Sequence, residues 1–201
     1  MNILFISRAF PPVTGGIENQ NAALAEWLPK FATTTLIANR HGKRALPWFF
    51  PYAFIRACVL LFRADTLLLG DGVLAIIGAG LKYLFPSKTI VTVLHGLDIT
   101  YTLPFYQRFW VQHFLKKLDG YLCVSTHTKT QAIEHGLAAH KCFVIPNGVA
   151  TERFSGERNR ERLETLLGRS LEGNIVLLTL GRLAKRKGVA WFIQQALPHL
   201  N

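Results

Sequence analysis

The sequence predicts an α/β protein built on a doubly wound parallel sheet. Along residues 1–150, short apolar runs alternate with longer segments of helical spacing, the pattern of repeated strand–helix units. The first run, Ile3 to Ile6, is continuously apolar rather than alternating, as in strands covered on both faces. Several runs are followed by Gly, Pro or polar residues, where open parallel sheets bind ligands beyond the carboxyl ends of their strands.

Taken in order, residues 3–6 (Ile3 to Ile6) read as the first strand. A Pro/Gly loop over 10–16 follows, and helical spacing then runs from Ile17 through Leu24 and Trp27 to Leu28. Residues 34–38 form the second strand, and 47–62 a helix with Pro47 in its first turn, where the missing N–H costs nothing. The third strand is 66–69, followed by a helix over 73–84, and the fourth is 89–94, followed by a helix over 105–118. The fifth strand covers 120–124; Ser125 caps the next helix, which runs to His135 and ends at Gly136. Residues 142–145 form the sixth strand.

Composition then changes. Residues 150–174 are polar and rich in Arg and Glu, with a helix expected at 161–167. Residues 175–180 read as a new buried strand, and Gly188 opens a helix towards the last residue. The expected organisation is a domain over 1–150, a linker over 151–173 and the incomplete beginning of a second α/β unit over 174–201. A strand and one helix cannot bury a core alone.

The chain carries a formal net charge of +11, with 14 Lys/Arg against 7 Asp/Glu in 1–150 and 9 against 5 in 151–201. The surplus is spread along the chain and favours anionic partners: phosphates, an acidic membrane surface or nucleic acid. Nucleic acid is set aside, because the charge is dispersed and no nucleic-acid-binding module is recognisable. Cys58, Cys123 and Cys142 have no metal-ligand spacing and read as reduced thiols of a cytoplasmic protein, Cys123 and Cys142 as buried small side chains. Met1 to Ser7 lacks a basic leader, so no secretory signal is expected. The apolar stretches 46–62 and 66–85 are interrupted by Pro, Gly and charged residues, so no membrane span is expected either.

Candidate sites follow the strands. After the first come Gly15 and Gly16, immediately before a helix whose N-terminal N–H groups suit phosphate, with Glu18 in its first turn. An ordinary glycine turn is the competing reading. Gly70-Asp71-Gly72 after the third strand formally matches a dinucleotide fingerprint. It follows the wrong strand and lacks the acidic ribose partner, so close packing is the preferred reading. After the fourth strand, His95-Gly96-Leu97-Asp98 places a hydrogen-bonding imidazole at the mouth of the sheet. Ser125 could meet a ligand or cap its helix, and Asn147-Gly148 signals a sharp turn. Finally, the loop from Gly181 to Gly188 holds Arg182, Lys185, Arg186 and Lys187 between a strand and a helix, a junction suited to a diphosphate.

In order, these motifs are Pro-Pro-x-x-Gly-Gly-x-Glu, His-Gly-x-Asp, Val-Ser, Ile-Pro-Asn-Gly-Val with Phe154 soon after, and Gly-Arg-Leu-x-x-x-Lys-Gly. Together they resemble the group 1 (family 4) retaining glycosyltransferases of the GT-B fold, over essentially the whole chain. The resemblance implies two facing Rossmann-like domains, the first on the acceptor side and the second holding a nucleotide-sugar donor. By that resemblance, Gly15 and Gly16 match the glycine loop near donor diphosphate and acceptor, and His95 the active-site histidine near the donor sugar. Arg182 and Lys187 match the basic pair that binds the diphosphate and stabilises the leaving group. Asn147-Gly148 matches the turn before the interdomain linker. Glu18, Asp98 and Ser125 join the substrate-binding set.

The resemblance further implies that no metal or other cofactor is needed, since the basic pair acts on the departing diphosphate. It implies a glycan or lipid-linked acceptor in a polysaccharide or glycolipid pathway. The family's paired-glutamate motif and nucleoside pocket would fall beyond Asn201, so 1–201 alone is expected to lack normal activity, the remainder being supplied by further sequence or a second chain. A competing reading is a non-catalytic module for acceptor or membrane surface. It rests on Arg40, Lys43, Arg44, Arg56 and Arg63 around Trp48, Phe49, Phe50 and Phe54, a composition suited to an anionic bilayer. A core-facing helix with basic outer residues explains the same composition. A sugar-nucleotide epimerase on the same fold is a further alternative.

Overall fold

In a computed structural model, the structure describes residues 1–154, 160–181 and 184–200. The chain divides into two units, Met1–Val149 and Ala150–Asn201.

The first unit contains six parallel strands: β1 (Asn2–Ser7), β2 (Thr33–Ala38), β3 (Thr66–Leu69), β4 (Thr89–Leu94), β5 (Gly120–Cys123) and β6 (Cys142–Val144). Their order in the sheet is β2-β1-β3-β4-β5-β6. Between them run α1 (Gly16–Trp27), α2 (Leu46–Leu60), α3 (Ala75–Leu84), the short α4 (Leu97–Thr100) and α5 (Thr126–Glu134). Residues Tyr106–Phe114, expected as an α-helix, wind as a π-helix. The unit is the doubly wound, Rossmann-like α/β fold that the strand–helix alternation predicts.

Side chains alternate across β1. Leu4 and Ile6 face a large core with Leu67, Leu69, Ile90 and Leu94, closed by α2, α3 and the Tyr106–Phe114 helix. Ile3 and Phe5 face the other layer, against Leu24 and Leu28. Leu4, Phe5 and Ile6 are fully buried, each contributing about 1.5–3 kcal/mol from removal of apolar surface from water. The apolar continuity of the run thus has its physical cause in coverage from both sides. Edge strand β6 differs: Phe143 and Val144 are exposed.

Close approach sets two of the glycines. A Cβ at Gly78 would stand 2.7 Å from Leu69 Cδ1 and 2.8 Å from Leu118 Cδ2, so α3 lies tight on the sheet. A Cβ at Gly72 would meet Asp98 Cβ at 2.9 Å. The packing reading of the Gly70-Asp71-Gly72 segment is therefore the one the fold uses.

In the second unit, α6 (Glu161–Leu167) forms where expected and ends on left-handed Gly168. Glu164 Oε1 accepts from Leu171 N at 2.7 Å, folding the following turn back onto the helix. The expected strand over 175–180 does not form; the segment is irregular, and Ile175, Leu178 and Leu180 are exposed. A parallel strand takes its backbone hydrogen bonds from neighbours, and the described residues of this unit offer no second strand to pair with. After Gly188, in the left-handed region, a helix starts at Val189–Trp191 and continues as π turns over Phe192–Ala196.

Candidate functional site at the sheet crest

The chain leaves β1 for β2 on one side and returns to β3 on the other, so the strand order reverses between β1 and β3. Sheets of this type bind ligands in the crevice at that point. Two residues meet there: Arg8, which none of the loop motifs includes, and Asp71, which belongs to the Gly70-Asp71-Gly72 segment read as close packing. Arg8 directly follows β1, and Asp71 lies two residues beyond β3. Arg8 Nε donates to Asp71 Oδ1 at 2.9 Å, an ion pair across the reversal point. The position of Arg8 immediately after the first strand was the signal available.

Asp71 is completely buried. Burial pushes its carboxyl up to about 6; the Arg8 guanidinium opposes the shift, and Asp98 adds to it. Its Oδ1 also accepts from Val73 N at 3.0 Å and so caps the turn Gly72–Leu74. Among the described residues, Oδ2 is buried and finds no donor.

Asp98 is 5% exposed and is spent inside the fold. Its Oδ2 accepts from Gly72 N at 3.0 Å and from His95 N at 3.2 Å, joining the loops that follow β3 and β4. Gly96 has φ 90°, in the left-handed region, which lets the chain turn directly behind His95. The half-buried imidazole of His95 has Nε2 3.0 Å from Gly70 O. An N–H on Nε2 donates there, leaving Nδ1 for another partner in the neutral ring. Two aromatic side chains brace the same loops: Tyr106 OH donates to Asp98 O at 2.8 Å, and Trp110 Nε1 to Val73 O at 2.9 Å. Their rings stack at 5.8 Å, one helical turn apart.

On the β1 side, Gly15 is extended and Gly16 opens the 12-residue α1. Gly16 is exposed, and a Cβ there would meet nothing within 4 Å, so its space lies open at the helix N-terminus. The Glu18 carboxylate folds back beside Gly15. Asn21 Nδ2 donates to Ser7 Oγ at 2.9 Å and Ala9 O at 3.2 Å, tying α1 to the end of β1. Asn21 also packs on Gly70, the residue whose carbonyl meets His95. Arg8, Phe10, Glu18, Asn39 and Lys43 line a pocket of about 50 Å³ on this edge.

The remaining candidates stand elsewhere. Ser125 caps α5, accepting from Thr128 N at 3.1 Å. Its hydroxyl also lies 3.0 Å from Thr128 Oγ1, which neighbours the Cβ direction of Gly96. Asn147-Gly148 makes no tight turn: 145–150 is irregular and Gly148 lacks a positive φ. The reason is that the chain leaves β6 without returning to pair with it, so no hairpin geometry is imposed. In the second unit, exposed Lys187 ends a turn closed by its N–H on Ala184 O at 2.8 Å, just before Gly188. Arg182 lies outside the described residues. Among those described, no three His, Cys, Asp or Glu side chains gather as metal ligands, and no helix is long and apolar enough to cross a membrane.

This crest, from the glycine loop through His95 to the end of the first unit, falls within residues 14–153, which match the sequence profile of glycosyltransferase family 4. The chain belongs to glycosyltransferase family 4. Among solved structures, Anabaena Alr3699/HepE in complex with UDP and glucose is similar at a TM-score of 0.74 and 19% identity, covering 100% of this chain and 58% of that one. The same protein in complex with UDP-glucose gives a TM-score of 0.72. The lipopolysaccharide outer core galactosyltransferase WaaB, in its apo form, gives 0.51 at 16% identity, covering 74% of this chain and 46% of that one. The family 4 chain thus spans 58% of the length of HepE. Among curated protein sequences, none matches.

Proposed function

We propose that this family 4 chain takes part in transferring a sugar from a nucleotide-sugar donor to a glycan or lipid-linked acceptor, with retention at the anomeric carbon. The family match over 14–153 carries this reading. The complexes of HepE with UDP and UDP-glucose support the nucleotide-sugar class. In this reading, the N-terminal N–H groups of α1 and the open space at Gly15 and Gly16 receive anionic oxygens. His95, held by Asp98 and Gly70, offers its imidazole to the donor sugar. Arg182 and Lys187 bind the diphosphate and stabilise it as it leaves, electrostatic work that needs no metal ion. Attack comes from the face the phosphate leaves. Glu18, Ser125, Asn147 and Gly148 belong to the substrate side by resemblance, and Asp98 acts by holding the His95 loop. The site of action is the cytoplasm.

The reading includes a second part: the 201 residues act with further polypeptide, in the same chain or another. The test follows release of nucleoside diphosphate from a panel of nucleotide sugars, with glycan and glycolipid acceptors. It is run on the 201-residue chain alone and joined to the sequence encoded downstream. Transfer by the longer polypeptide only is the expected result. Transfer by the 201 residues alone overturns the need for further polypeptide. Failure of both with every donor overturns the transferase reading in favour of a non-catalytic acceptor-binding module.

A further inference from the structure

We propose that the outer face of α2 is a docking surface for an anionic lipid bilayer. This inference stands on the helix surface and holds independently of sugar transfer. The inner face of α2 is settled: Phe49, Ala53 and Ala57 are buried, with Phe50 and Phe54 packed against the same core. Three of the four aromatics that the composition placed among basic residues therefore belong to the core.

What is left outside is a second apolar stripe. Trp48, Tyr52, Ile55 and Val59 recur at helical spacing and are all exposed, Trp48 at 81%. Phe62, 73% exposed, follows one turn on. Its ring meets Phe85 edge-on at 5.1 Å, just past α3, where Tyr83 and Leu84 are exposed as well. A row of large apolar side chains in water marks a surface made for contact.

Charge decides the partner. Residues 40–64 contain Arg40, Lys43, Arg44, Arg56 and Arg63 and no Asp or Glu. All five cations are exposed, with Arg56 and Arg63 beside the stripe and Arg44 at its N-terminal end. An apolar stripe flanked by cations is the design of helices that lie in a membrane interface. Trp and Tyr settle at headgroup level, and each Lys or Arg near an anionic surface contributes about 1 kcal/mol. A second copy of the chain fits poorly, because a two-fold contact would set the same cations against one another.

The experiment is flotation of the whole chain with phosphatidylcholine vesicles and with vesicles that also carry phosphatidylglycerol. Binding to the anionic vesicles only, weakened by salt, is expected. The tryptophan emission then shifts to the blue, and Trp48→Phe removes that shift. Two independent variants test the surface: Trp48→Ser with Ile55→Ser and Phe62→Ser removes apolar contact, and Arg44→Glu with Arg56→Glu reverses charge. Each is expected to cut the bound fraction about ten-fold or more, with circular dichroism unchanged. The proposal is overturned by absence of flotation with anionic vesicles, by binding that neither variant alters, or by a dimer that both variants dissolve in a chain that ignores lipid.

Discussion

Arg8 and Asp71 form an ion pair, Nε to Oδ1 at 2.9 Å, that spans the point where the sheet reverses its strand order. The carboxylate is fully buried, and the Arg8 side chain is 16% exposed. The pair therefore fixes the distance between the loops after β1 and β3. Removing one partner leaves the other charge buried without compensation. Arg8→Ala is expected to lower the unfolding free energy by roughly 3–5 kcal/mol, read from denaturant titrations. A loss under 1 kcal/mol would show that the carboxylate finds relief elsewhere.

The same carboxylate gives a pH dependence of defined sign. Its pKa rises on folding, from 3.8 to about 6, chiefly by burial. The folded state thus holds its proton more tightly than the unfolded one. The stability this group contributes is complete below about pH 4 and is lost as pH rises through 6, about 3 kcal/mol in all. Asp71→Asn removes the titration. The stability of the wild type relative to this variant should therefore fall between pH 4.5 and 7, and a rise would contradict the assignment.

Gly16 and Gly72 should separate binding from packing. Gly72→Ala forces a Cβ against Asp98 and Leu94 and is expected to cost about 1–3 kcal/mol of stability. Gly16→Ala meets nothing and, at the first position of α1, is expected to leave stability within about 0.5 kcal/mol of the wild type. If the N-terminus of α1 receives anionic oxygens, that stable variant still loses affinity for nucleoside diphosphate in calorimetric titration. Unchanged affinity would remove Gly16 from the binding set.

His95→Ala in the longer polypeptide is expected to reduce kcat by about 10²-fold or more while shifting Tm by only a few degrees, because the imidazole is half exposed and makes a single bond to Gly70 O. Asp98→Ala should do the reverse first. It strips two backbone N–H groups of their acceptor and is expected to cost about 2 kcal/mol or more of stability, with activity falling through misplacement of His95. Equal effects of both variants on Tm would show His95 to be structural.

Much of this protein follows from the order of its residues alone. Continuous apolar runs at 3–6 and 67–69 specify buried parallel strands, because only two-sided coverage suits such runs. Ser125 and Gly136 mark the ends of α5 through local backbone chemistry that needs no distant partner. The family was legible too, since its motifs are short and contiguous.

Tertiary structure decided everything that depends on residues far apart in the chain. The Arg8–Asp71 pair is 63 residues long-range, and Asp98 reaches back 26 residues to Gly72; neither leaves a local pattern. The apolar run 175–180 carries a strand's composition but forms none, because a strand is completed by its neighbours. On α2, composition could not divide Trp48 from Phe49. Only the sheet, by burying one side of the helix, determined which aromatic meets water, because adjacent positions on a helix point about 100° apart.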